Sequence, residues 1–232
     1  AGEEDRREWL LTNGLGGFAM GTAHGGHHRR YHGYLVAALT PPTGRIVALH
    51  SMLDELLVGD LKHVLTAHRF GEALAPHSEA TVEPDGFTVD LAGGRVAWRF
   101  ESETWAIDRT LLFGDQDNSV SVAYTVRSRV DATLLLRPFT PMRDFHQLVC
   151  GERDRAVIEA GPRLTVECDV LDRLVALHLA CAIDGEAGSW IVEPEWWRSA
   201  AYSTERARGL EWMEDLHVPC RLEVPVRAEH PC

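Results

Sequence analysis

The sequence is most informative at first in what it does not contain. No apolar run reaches the ~18 residues a membrane helix needs. The opening "AGEEDRREWL" has neither a basic n-region nor an apolar h-region, so no signal peptide is visible. Positive charge is scarce: Lys and Arg total 23 against 35 Asp and Glu, a net charge of -12. That balance disfavours nucleic acid, which is bound through Lys and Arg that displace condensed counterions. The five cysteines (150, 168, 181, 220 and 232) are odd in number, widely spaced and without C-x-x-C, the pattern of reduced thiols in a cytoplasmic protein. Cys168 and Cys181 lie in apolar runs and are expected as small core residues, while Cys232 is terminal and open to intermolecular pairing. No G-x-S-x-G marks a nucleophile, and no repeat, low-complexity tract or linker divides the chain.

What is present is a period of two. Phe87, Val89 and Leu91 alternate with polar residues, Gly93-Gly94 turns the chain, and Val96, Trp98 and Phe100 alternate again, a hairpin signature. Val120, Val122, Tyr124 and Val126 share one face, and "DATLLLRPF" follows as the next strand. Strands recur about every ten residues, as in a sandwich or barrel. With 45 % hydrophobic residues over 232 positions, a substantial core is expected. Helical spacing is weak. It occurs over 52–65, interrupted by Gly59, and over 195–213, where two or three turns are expected. The reading is one all-β domain, residues 1–232, with irregular loops near 13–30, 138–155 and 194–220.

Residues 13–33, "NGLGGFAMGTAHGGHHRRYHG", hold seven glycines and four histidines. Gly14, Gly16 and Ala19 satisfy G-x-G-x-x-[GA] literally. Yet no amphipathic helix follows to bring its N-terminus to a pyrophosphate, and no acid stands about 20 residues on for a ribose. The glycines instead suit positive φ and close backbone approach. His24, His27, His28 and His32 suggest a metal, but Arg29 and Arg30 stand among them and no carboxylate does, so no metal or other cofactor is expected. Carboxylate pairs able to flank a glycosidic bond are available in number, Asp54-Glu55 among them, and most are read as solvated surface. Three segments combine aromatic and polar residues suited to a sugar, whose CH faces stack on rings while its hydroxyls take ionic partners. The first holds Asn13, Arg29, Arg30, Tyr31 and His32. The second holds Arg143, Asp144 and His146. The third holds Trp196, Trp197, Tyr202, Glu205, Glu214 and Asp215. No catalytic residue is assigned.

These same segments carry a resemblance. Glu8-Trp9-Leu10, Thr12-Asn13, Gly16-Gly17-Phe18, Arg29-Arg30-Tyr31-His32-Gly33, Pro41-Pro42 and Leu53-Asp54-Glu55 stand in the order found in the archaeal and bacterial type of glycogen debranching enzyme. "RPFTPMRDFH" is similar to a second motif of that family. The run from Tyr202 through Glu205, Gly209 and Glu214-Asp215-Leu216 to Pro219 is similar to a third. His28 stands where the family has Thr, Tyr34 replaces the first Leu of L-L-V-A, and Cys220 replaces a glycine. The resemblance implies a galactose-mutarotase-like super-β-sandwich of two large antiparallel sheets with few short helices. It would be the N-terminal domain beside a C-terminal (α/α) toroid that hydrolyses α-1,6 branch points of glycogen or limit dextrin. A toroid needs about twelve amphipathic helices of ~10–15 residues, and this chain has at most one or two. The implied partners are therefore an α-glucan and the catalytic domain of the same polypeptide, with no membrane or nucleic acid. The fragment alone is expected to be inactive, with side chains 29–32 facing outward to line the glucan cleft or the domain interface. The alternative is a stand-alone carbohydrate-binding or mutarotase-like module, in which His32 or His146 would work with Glu205 as acid and base.

Overall fold

The structure, a computed structural model, describes residues 7–71, 73–74 and 81–228. Cys232 lies outside them. Strands dominate the described chain. Its first third forms β1 (Glu8–Thr12), β2 (Phe18–Thr22), β3 (Gly33–Thr40), β4 (Thr43–Leu49), β5 (Ser51–Val58), β6 (Leu61–Val64), β7 (Arg69–Phe70) and β8 (Ala73–Leu74). The middle forms β9 (Gly86–Asp90), β10 (Arg95–Glu101), β11 (Trp105–Phe113), β12 (Val120–Ser128), β13 (Ala132–Phe139) and β14 (Arg143–Asp144). The remainder forms β15 (Ala156–Ala160), β16 (Arg163–Val170), β17 (Arg173–Ala180), β18 (Ala182–Ile183), β19 (Glu186–Ala187), β20 (Glu195–Ala201), β21 (Met213–Val218) and β22 (Leu222–Val226). One short helix, α1 (Ser203–Ala207), is the only helix among the described residues.

Every strand-to-strand ladder is antiparallel. The sheets are β1-β2-β3-β4-β14, β12-β11-β10-β9, β22-β13-β5-β6, β21-β20-β7-β8, the three-stranded β15-β16-β17 and the hairpin β18-β19. Alternation builds the core as the sequence predicts. On β10, Val96, Trp98 and Phe100 point inward, and on β11 so do Trp105, Ile107, Leu111 and Phe113. At roughly 1.5–3 kcal/mol for each large apolar side chain, these rows supply much of the driving force. Val120, Val122, Tyr124 and Val126 pack against the same core from β12. On the edge strand β9 only Phe87 joins them; Val89, and Leu91 in the turn, are exposed. A second, smaller core unites Leu53, Val64, Phe139, Ala200, Leu216 and Val218. The described cysteines are free thiols. Cys168 lies in the main core, Cys181 packs against it half-buried, Cys220 is buried and Cys150 is exposed.

Two stretches depart from expectation. Residues 52–65 form the β5–β6 hairpin and not a helix, turning at Gly59 with φ +56°. β5 is interior to its sheet and buried over Ser51–Leu56. With both faces covered, polar Asp54 and Glu55 are buried beside their apolar neighbours and no period of two shows, while Met52, Leu53, Leu56 and Leu57 fall at helical spacing. Residues 195–213 likewise give β20, five helical residues and the start of β21. The partner strand β21 overrides local propensity there. The expected irregular loops at 13–30 and 194–220 accordingly contain β2, β20, α1 and all of β21.

Candidate functional site

The glycine-rich segment works as the backbone reading requires. Gly16 has φ +93°, and a Cβ there would lie 2.7 Å from the Pro42 carbonyl oxygen. At Gly26 a Cβ would come within 2.3 Å of the Ala67 oxygen. The loop thus presses directly on neighbouring backbone. Asn13 organises its start. Its Oδ1 accepts from Leu15 N and Gly17 N, both at 3.0 Å, while its Nδ2 donates to Asp117 O at 2.6 Å. Asn13 is fully buried in that role.

The segment 28–32 then meets the other two sequence-predicted segments. β14 pairs with β4, placing Arg143 beside Val47 and Asp144 beside Ile46. The β20–α1–β21 unit brings Tyr202, Glu205 and Glu214. Buried groups of opposite sign hold the Arg30 peptide: Glu205 Oε2 accepts from its N–H at 3.2 Å, and Arg143 Nη2 donates to its carbonyl at 2.8 Å. Arg143 is itself fixed by two bonds to Glu214, Nε to Oε2 at 2.6 Å and Nη2 to Oε1 at 3.0 Å. Its Nη1 donates to the carbonyls of Asp144 and Phe145. The Tyr202 hydroxyl donates to Glu214 Oε1. Burial opposes charge on Arg143, but Glu214 outweighs it and raises the guanidinium's affinity for its proton; burial also pushes the Tyr202 phenol well up. Charge-assisted, bidentate bonds of this kind are the strong ones.

A second anchor runs to β1. Arg29 Nε donates to Glu8 Oε1 at 2.5 Å. His32 Nδ1 accepts from His28 N at 3.3 Å, so its proton is on Nε2 and is donated to Glu8 Oε1 at 3.1 Å. The His32 bond is the largest cause holding the Glu8 carboxyl at about 2. His32 is wholly buried, which corrects the outward orientation expected for 29–32: Arg29, Arg30 and Tyr31 are only half-buried, but the fourth side chain faces in.

Backbone strain lies on both sides of this cluster. Met142, preceding Arg143, has φ +44°, and Ser199, three residues before Tyr202, has φ +63°. Non-glycine residues in this region cost of order 1–3 kcal/mol and gather where geometry is over-determined. Asp215 secures the Ser199 bulge, accepting from Ser199 N and Gly151 N at 2.8 Å and Arg198 Nη1 at 2.9 Å. Burial pushes its carboxyl up, yet these donors leave it below the usual aspartate value.

The outer surface carries Tyr31, Phe145 and His146. Arg30 Nη1 donates to the His146 carbonyl at 3.0 Å, and His146 N donates to Asp144 Oδ1 at 2.7 Å. Arg29, Arg30, Tyr31, His32, Arg143, Asp144, His146, Tyr202, Glu205 and Glu214 therefore converge, with Asp215 bracing the strand behind them. Trp197 stands apart in the second core, 5.5 Å from both Phe70 and Phe139 between ring centroids. Glu205 is wholly buried against the Arg30 backbone, so it has no open approach to a sugar and cannot pair with His146 as an exposed acid–base couple.

Sequence reasoning passed over Glu8, Phe145 and two buried polar clusters. Asp54-Glu55 is not solvated surface. Asp54 is fully buried with Arg109, Thr66 and Tyr124, and Glu55 is bound by Arg137 and Lys62. Arg109 lies 4.1 Å over the Trp98 ring; burial opposes its charge, but Asp54 more than restores it. A lone Arg on the inward face of β11 was the available signal. His27, His50, Ser51 and His68 form a buried chain with links of 3.1, 2.7 and 2.9 Å. Among the described residues no three His, Cys, Asp or Glu side chains are arranged to hold a metal ion, and no helix is long and apolar enough to cross a membrane.

Together these features define an antiparallel β-sandwich domain whose three polar loops are locked into one surface by the buried Arg143–Glu214 pair and the buried Glu205 carboxylate. The chain belongs to the glycogen debranching enzyme N-terminal family, whose model matches residues 7–231. A comparison with curated proteins finds no match.

Proposed function

We propose that this chain is the accessory N-terminal domain of a cytoplasmic glycogen debranching enzyme. It docks on a helical catalytic domain of the same polypeptide and presents its converged loops to the α-glucan cleft, supporting hydrolysis of α-1,6 branch points. The family membership supports the class of enzyme. The observation that carries the role is the grip on the Arg30 backbone: Glu205 and Arg143, both buried, hold one half-buried loop by its N–H and its carbonyl. Burying ionic groups is costly, and here they serve to hold Arg29–Tyr31 beside Phe145 and His146.

Glucose release from limit dextrin is the test. The 232-residue chain alone should release none. A polypeptide joining it to its catalytic domain should be active and should lose most activity when Arg30 and Tyr31 are both replaced by alanine. Release by the isolated chain, or undiminished activity of that double variant, would refute the proposal.

A further inference from the structure

His146 is the exposed member of an aromatic ridge. Its ring centroid lies 4.0 Å from that of Phe145 and 5.8 Å from that of Tyr31, and Tyr31 is 5.4 Å from Phe145. A guanidinium backs each flanking ring: Arg30 lies 5.7 Å from the Tyr31 centroid and Arg45 5.7 Å from that of Phe145. The Tyr31 hydroxyl and His146 Nδ1 are 3.4 Å apart. Both strips of the ridge are held from behind, the first by the grip on the Arg30 peptide and the second by Asp144 and the Arg143 bonds to residues 144 and 145. Ordering side chains in advance removes an entropy cost that a ligand would otherwise meet on binding.

The local charge selects the ligand's chemistry. Arg29 is paired with Glu8, Arg143 with Glu214, and the Glu205 carboxylate lies against the Arg30 backbone. Four guanidinium groups, those of Arg29, Arg30, Arg45 and Arg143, are thus matched in number by the carboxylates of Glu8, Asp144, Glu205 and Glu214, and a phosphate would meet no net positive charge. A neutral ring with one apolar face and a rim of hydroxyls fits instead. Aromatic faces take its CH surface, while the Tyr31 hydroxyl, the His146 imidazole and the Asp144 carboxylate offer donors and acceptors.

We propose that the Tyr31–Phe145–His146 ridge is a pyranose-stacking subsite, with Tyr31 and His146 as its contact residues. This deepens the reading above, in which the same surface faces α-glucan, and it distinguishes side chains that touch sugar from the buried Arg143, Glu214 and Glu205 behind them.

The test is an NMR titration of the 232-residue chain with maltoheptaose, with inorganic phosphate run in parallel. Saturable shifts are expected at residues 31 and 144–146. His146→Ala, a change to an exposed side chain that leaves the fold intact, should weaken binding roughly tenfold, as should Tyr31→Ala. Shifts centred elsewhere, no saturable shift, or preferential binding of phosphate overturns the subsite. Docking is read separately, by hydrogen exchange at residues 29–31 in the polypeptide that includes the catalytic domain. Protection there without a maltoheptaose isotherm removes the subsite and keeps the docking. An isotherm without protection does the reverse.

Discussion

Arg143→Met is the sharpest perturbation of the loop framework. It strips Glu214 of two N–H donors and takes a donor from the carbonyls of Arg30, Phe145 and Asp144, the last of which keeps Gln147 N. Glu214 is 1 % exposed, so water cannot replace what is lost. Removing one member of a buried pair costs about 3–5 kcal/mol. With a urea slope of about 3 kcal/mol/M for a chain of this size, the unfolding midpoint should fall by about 1–2 M. The triple variant Arg143→Met/Glu214→Leu/Tyr202→Phe removes both charges and the hydroxyl together. It still leaves the Arg30 and Phe145 carbonyls and the Val149 N–H short of a partner, about 1–3 kcal/mol for a buried one, but no uncompensated buried charge, so it should be more stable than the single variant. Urea melts followed by tryptophan fluorescence measure both. A single-variant cost below about 1 kcal/mol, or a triple variant no better than the single, would show that the pair is not buried and coupled as argued.

Acid should destabilise the fold well before the carboxylates titrate. Burial holds His27 and His50 well below the ordinary histidine range and His68 and His217 at about 4. The unfolded chain takes up these protons near pH 6.5 and the folded chain does not. Stability is therefore full above that value and falls as the pH drops toward 4, by up to about 1.4 kcal/mol per pH unit for each histidine. Urea midpoints at pH 8, 6 and 5 measure the slope, and equal midpoints at all three would contradict it. The histidine chain also has a direction. His68 donates to the Met52 carbonyl, so its Nε2 accepts from Ser51, Ser51 accepts from His50 Nδ1, and His50 Nε2 accepts from His27 Nδ1. Nitrogen-15 shifts should place the proton on Nδ1 in all three imidazoles; an Nε2 proton on His50 would break the sequence. Finally, Gly26→Ala forces a methyl against the Ala67 carbonyl and should cost about 1–3 kcal/mol. Gly59→Ala meets no atom within 4 Å and should cost only its left-handed backbone strain, about 1–2 kcal/mol. Thermal melts that rank the two the other way would contradict the close approach.

Much of the architecture was legible in alternation alone. Val96, Trp98 and Phe100 declare one inward face of a strand, because a period of two leaves a half-buried strand no other arrangement. Ser51–Leu56 was not legible, since burial on both faces erases the alternation. The site divided in the same way. Arg29–His32, Asp144 and His146 were picked out by residue type, yet Glu8 and the inward orientation of His32 were not, because that pairing spans 24 positions of chain.

By itself, the order of residues determined an all-β chain, the local turns of its glycine-rich loop, and three polar segments of family-like composition. Tertiary structure alone decided that these segments share one surface. It also decided which of their charges face inward, since Arg143 finds Glu214 71 positions away and Arg30 finds Glu205 175 positions away. Local sequence sets the period of burial, whereas the partner of a buried charge depends on how sheets cross, and no short stretch of chain encodes that.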